Sequence, residues 1–139
     1  MNAYTKILVA GLIGIIFFKA LVLFWSSFAN WNPIFNHLLS CCAQESWFRG
    51  VVLIQDLIVN FLLCLIPAYL LVKLKYKSLF IVLLVAVVPS FVWQNYHFLW
   101  PTIYNGNITI FFLGWFNEHM LLPIVAVTLS FMIKRKKGI

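Results

Sequence analysis

The chain has 139 residues, 64% of them hydrophobic and 9% charged, with a formal net charge of +7. Soluble domains are typically about 45–50% apolar and about 25% charged. A small soluble fold buries only part of its apolar surface, so the composition excludes an ordinary water-soluble domain and makes lipid the expected solvent. The cations do not form the spread basic face of a nucleic-acid binder. Most of them flank apolar runs, as Lys73, Lys75 and Lys77 and as Lys134-Arg135-Lys136-Lys137, leaving Lys6, Lys19 and Arg49. Such clusters read as topology signals that also suit anionic lipid headgroups.

The first predicted element is Ile7 to Phe28. A signal-peptide core runs roughly 7–15 residues, shorter than this segment, so it reads as a retained transmembrane helix. Lys19 interrupts its apolar run.

The loop Ala29 to Gly50 follows, with Trp31, Phe35, Leu38, Leu39, Trp47 and Phe48. That aromatic content suits a helix lying on the membrane interface, or a lid over the bundle. Cys41 and Cys42 are adjacent and could form a strained disulfide or bind a soft metal; two free thiols are the favoured expectation, because the eight-membered ring of a vicinal disulfide departs from relaxed geometry. No Cys-x-x-Cys is present. Glu45 and Arg49 are the candidate outer-loop site residues.

The second predicted helix is 51–72. Arg49, Asp56, Asn60, Cys64 and Pro67 recur at helical spacing, which places them on one stripe directed into the bundle. The third helix, 79–98, carries Ser90, Gln94 and His97 on one face in the same way. The loop after it has Trp100, Pro101 and the Asn105-Gly106 turn signal. It also holds an Asn107-Ile108-Thr109 triplet of little weight so near a membrane. The fourth helix, 111–133, contains Glu118 and ends at the cationic tail.

These four segments predict an all-α, single-domain, four-helix transmembrane bundle, since helices satisfy their own backbone in lipid and the runs do not alternate as barrel strands do. The positive-inside rule places the Lys73–Lys77 loop, the tail and both termini in the cytoplasm. The expected location is a bacterial cytoplasmic (inner) membrane. Measured along the helices at about 1.5 Å per residue, the polar residues Lys19, Asp56, Asn60, Gln94, His97 and Glu118 fall at a similar depth in the outer half. This intramembrane cluster is the candidate site. Pairing of Lys19 with Glu118 or Asp56 is the expected relief of buried charge. The same residues also fit interhelical polar contacts with a snorkelling lysine. His119 reads as an interfacial residue and His37 as a loop residue without a role.

No metal site is predicted, because no His and acid pair has the His-Glu-x-x-His spacing. No cofactor is implied either; no glycine-rich phosphate loop or nucleotide motif occurs. Gln44-Glu45-Ser46-Trp47-Phe48-Arg49-Gly50, Trp93-x-x-x-His97 and His119 show a scattered likeness to elements of the CAAX-protease-like family. The chain departs from that pattern where Gln44 replaces the first acid and Pro123 replaces a polar residue after the last His, and membership is not assigned. The leading expectation is a non-enzymatic accessory or immunity-type protein acting on a partner within the bilayer. Its partners would be the lipid bilayer and another membrane protein or a second copy, not nucleic acid. The alternatives are a small transporter or proton-linked carrier using Lys19, Asp56 and Glu118, and an outer-leaflet enzyme using Glu45, Arg49 and His97.

Overall fold

The computed structural model describes residues 2–42, 47–95 and 119–136, apart from the side chains of residues 29–31, 33–35, 38, 49, 94 and 95. Among the described residues the chain is helical throughout, with no strand. In chain order the helices are α1 (Ala3–Trp31), α2 (Pro33–Cys42), α3 (Phe48–Lys73), α4 (Leu79–Asn95) and α5 (Leu121–Lys136).

Helix α1 starts four residues before the apolar run does. The cause is a cap: Asn2 Oδ1 accepts from the Thr5 backbone N–H at 2.8 Å and from its hydroxyl at 2.6 Å. That satisfies part of the helix N-terminus. Asn32 separates α1 from α2, donating its N–H to Phe28 O and accepting from Asn36 N–H. Proline at the first position of α2 costs nothing, because that N–H has no intrahelical acceptor. The segment between α1 and α3 therefore contains a helix. It stops at Cys41 and Cys42, which are bonded to each other as a disulfide. The expectation of free thiols is corrected: consecutive residues at a helix end bring the two sulfurs within bonding reach.

Helices α3 and α4 hold Pro67 and Pro89 inside them. Each proline removes one helical donor, which membrane-type helices tolerate when neighbouring groups compensate. Between them Lys75 takes the left-handed conformation (φ 48°) that ends α3. Helix α5 follows a π-helical step at His119 and Met120 and runs past Ile133 to Lys136. Cations in that last turn oppose the negative end of the helix dipole. The predicted residues 96–98 and 111–118 of the third and fourth helices lie outside the described residues.

Among the described residues two helices, over Ala3–Phe28 and Gly50–Lys73, are long and apolar enough to cross a membrane; Leu79–Trp93 is apolar but shorter. The core is built from small and branched side chains, with Ala10, Cys64, Ala68, Val82, Ala86 and Ala126 among them. Helix α1 packs mainly on α4, and α3 mainly on α5. The α1–α4 seam is close at Gly14, where an added Cβ would overlap the Ala86 carbonyl and lie 2.7 Å from its Cα. Lys6 Nζ donates to Lys75 O at 3.2 Å and Trp25 Nε1 to Asn60 Oδ1 at 2.8 Å, so α1 and α3 run antiparallel. Gly14 beside Ala86 and Lys19 beside Trp93 make α1 and α4 parallel.

Candidate functional site

From Asp56 to Pro67 the stripe on α3 turns inward as its spacing implies. Asn60 (2% exposed) and Cys64 (2%) are buried, and so is Pro67, while Asp56 is half-buried. Asn60 spends its carbonyl on Trp25: the indole Nε1–H donates to Oδ1 at 2.8 Å across the α1–α3 interface. An indole N–H inside an apolar bundle needs an acceptor, and a neutral amide supplies one without burying charge. Trp25 is itself fixed on α1 by edge contacts with Phe24 and Phe28, at ring separations of 5.6 and 5.5 Å.

Lys19 does not meet Asp56. Its ammonium lies 5.1 Å from the Trp93 ring centroid, on the α4 side of α1, and among the described residues it forms no ion pair. The helical turn explains this. The buried face of α1 is Ala10, Gly14, Phe18 and Leu21, at spacings of four, four and three. Lys19 follows Phe18 by one residue and so points about 100° away, toward the exposed edge of the α1–α4 seam. There the cation rests on an aromatic face. The groove beside it has a volume of about 310 Å³ and is walled by Ile15, Phe18, Pro89, Ser90 and Trp93. Asp56 makes no hydrogen bond or ion pair among the described residues. The pairing of Lys19 with Glu118 lies outside the described residues, as do Glu45 and His97. Gln94 and Arg49 are placed by backbone only, on α4 and α3.

Sequence reasoning missed His119. It is 2% exposed, with its ring stacked on Phe18 of α1 (5.8 Å, 21°) and met edge-on by Phe91 of α4 (5.4 Å, 82°). The residue joins α5 to the α1–α4 pair. No local signal in the sequence marked it, because Phe18 and Phe91 lie on other helices and meet it only through packing. Ser90 is buried too and returns its hydroxyl to Val87 O at 2.8 Å. Three of the buried polar residues are thus engaged by aromatic rings or by backbone. His37 stands exposed on α2.

The arrangement can hold helices in register through neutral polar contacts. Among the described residues no group of three or more His, Cys, Asp or Glu side chains gathers in a way that could hold a metal ion. Comparisons with protein-family models, with curated proteins and with solved structures find no match to this chain.

Proposed function

We propose that this chain is an integral membrane protein of four transmembrane helices with both ends cytoplasmic, acting without catalysis on a partner inside the bilayer, as an accessory or immunity-type protein does. The observation that carries the membrane reading is the direction of the apolar side chains. Ile66 is 73% exposed, Leu8 69% and Phe80 69%, on helices whose interior holds alanine, cysteine and asparagine. Water would penalise that surface at about 25 cal/mol per Å², whereas lipid removes the penalty. A bundle with small residues at its seams and large apolar ones outside fits association in lipid. The cytoplasmic membrane of a bacterium is the proposed location.

The accessory reading draws on how the buried polar groups are used. Asn60, Ser90 and His119 make structural contacts between or within helices, and the exposed apolar faces are free to meet another membrane helix. Photo-crosslinking residues placed at Leu12, Ile16 and Phe80 in intact membranes should give one discrete protein adduct from at least one position. Lipid adducts alone from all three would remove this reading. Orientation is tested separately. A reporter after Ile139 should read cytoplasmic and one in the Asn105-Gly106 turn external. An impermeant thiol reagent should label Cys41 and Cys42 from outside only after reduction. The reverse pattern would invert the topology.

A second reading, a proton-linked carrier, is favoured by one observation: Asp56 sits half-buried within a span without a hydrogen bond or ion pair among the described residues. Intramembrane carboxylates of this kind serve ion pathways. Proteoliposomes with an internal pH dye should then acidify under an imposed gradient, and Asp56→Asn should abolish the flux. No flux above empty liposomes would end the carrier reading.

A further inference from the structure

The cationic end of the bundle contains a cleft of about 470 Å³ that the sequence did not show, because its walls come from separate segments. Lys73 and Tyr69 from α3, Lys75, Tyr76 and Lys77 from the α3–α4 connection, and Lys134 from α5 line it. Its inner wall is apolar, with Leu79, Val82 and Ile133. Ser130 of α5 also lines it. The ammonium of Lys6 reaches the same region through its hydrogen bond to Lys75 O. Asp56 is the only carboxylate side chain among the described residues, and it precedes Lys73 by seventeen positions on the same helix, roughly 25 Å away. The cleft therefore carries four cations with no described acid near them.

We propose that this cleft is a binding site for the headgroup of a multiply anionic phospholipid, one bearing two phosphates, on the side of the membrane that both cationic clusters face. The proposal rests on the membrane reading given above. The chemistry is complementary in three parts. Four ammonium groups match two phosphates, whose oxygens accept charge-assisted hydrogen bonds. The tyrosine and serine hydroxyls donate to the remaining oxygens or to a linking glycerol. Leu79 and Ile133 beside the cations give an apolar surface against which an acyl chain would lie. Basic pockets between transmembrane helices are a known way of holding such headgroups.

The test uses the full chain, purified in a neutral detergent and reconstituted into phosphatidylcholine bilayers. Diphosphatidylglycerol, phosphatidylglycerol, phosphatidylcholine and inorganic pyrophosphate are titrated, and binding is read by native mass spectrometry and by thermal shift. The diphosphate lipid should bind most tightly and phosphatidylcholine not at all. Replacing two cleft lysines, Lys77→Gln with Lys134→Gln, should weaken the diphosphate lipid about tenfold or more. Arg135→Gln with Lys136→Gln removes the same charge from residues that do not line the cleft, and should weaken it less than about threefold. Equal losses in the two pairs would overturn the site in favour of general surface charge. Pyrophosphate competing as well as the lipid would overturn the lipid assignment in favour of a soluble phosphate ligand. Thermal unfolding without lipid verifies that both pairs still fold. A chain that alkaline wash strips from membranes defeats the membrane reading itself; an embedded chain without lipid selectivity defeats this proposal only.

Discussion

The two ends of the bundle are built from different chemistry. At one end Lys6, Lys73, Lys75, Lys77 and Lys134 crowd around exposed backbone and an open cleft. Toward the other, Trp25 meets Asn60, and His119 lies between Phe18 and Phe91. Charges at the first end stay hydrated, so they order little, and under the proposed topology they would orient the molecule. Neutral polar groups at the second are shielded from water, where each contact contributes more and a missing partner costs more. The contrast shows where stability and where topology should be sensitive, and substitutions along the bundle test it.

The largest effect is expected at the seam that keeps both ends in register. Gly14→Leu cannot be placed without moving α1 off Ala86. Overpacking of this kind costs about 3 kcal/mol, and more where backbone is the obstacle. Equilibrium unfolding in mixed micelles should show that loss. A Gly14→Leu protein as stable as the parent would mean that the seam is not close-packed.

A smaller loss is expected at the aromatic end. Asn60→Leu leaves the Trp25 indole N–H without its acceptor, at a cost of about 1–2 kcal/mol. Adding Trp25→Phe should restore part of it, with a coupling of about 1 kcal/mol in a double-mutant cycle. Zero coupling would show that the hydrogen bond contributes nothing and that the aromatic end is held by packing only.

The cationic end should respond in the opposite sense. Lys75 holds a left-handed backbone (φ 48°) at the close of α3, so Lys75→Gly should raise stability by about 1 kcal/mol, since glycine adopts that conformation without strain. Destabilisation would mean that the Lys75 side chain matters more to the loop than its backbone does. The smallest effect is expected at Lys19. Its contact with Trp93 contributes about 0.5–1 kcal/mol at an exposed site, and leucine is better solvated by lipid. Lys19→Leu should therefore leave the melting temperature nearly unchanged. A loss of about 3–5 kcal/mol would instead reveal a buried ion pair.

Much of the architecture was legible in the residues themselves. Apolar run length and the absence of alternation predicted helices, and the helical period predicted which face of α3 would hold Asn60, Cys64 and Pro67. Both are local properties, set by 3.6 residues per turn and by the need to satisfy backbone within each segment. Partner choice was not legible. Which residue Lys19 meets, which ring holds His119, and whether Trp25 reaches Asn60 depend on how each helix is rotated about its neighbours. That rotation follows from close approach at Gly14 and Ala86 and from the small side chains along α3 and α5. Ala10, Leu71, Val82 and Ala126 join one core only when several helices pack at once. The cleft that gathers lysines from α3, its connection to α4 and α5 likewise exists only in the assembled fold. A helix's sequence determines its faces; only packing against the other helices decides what each face touches.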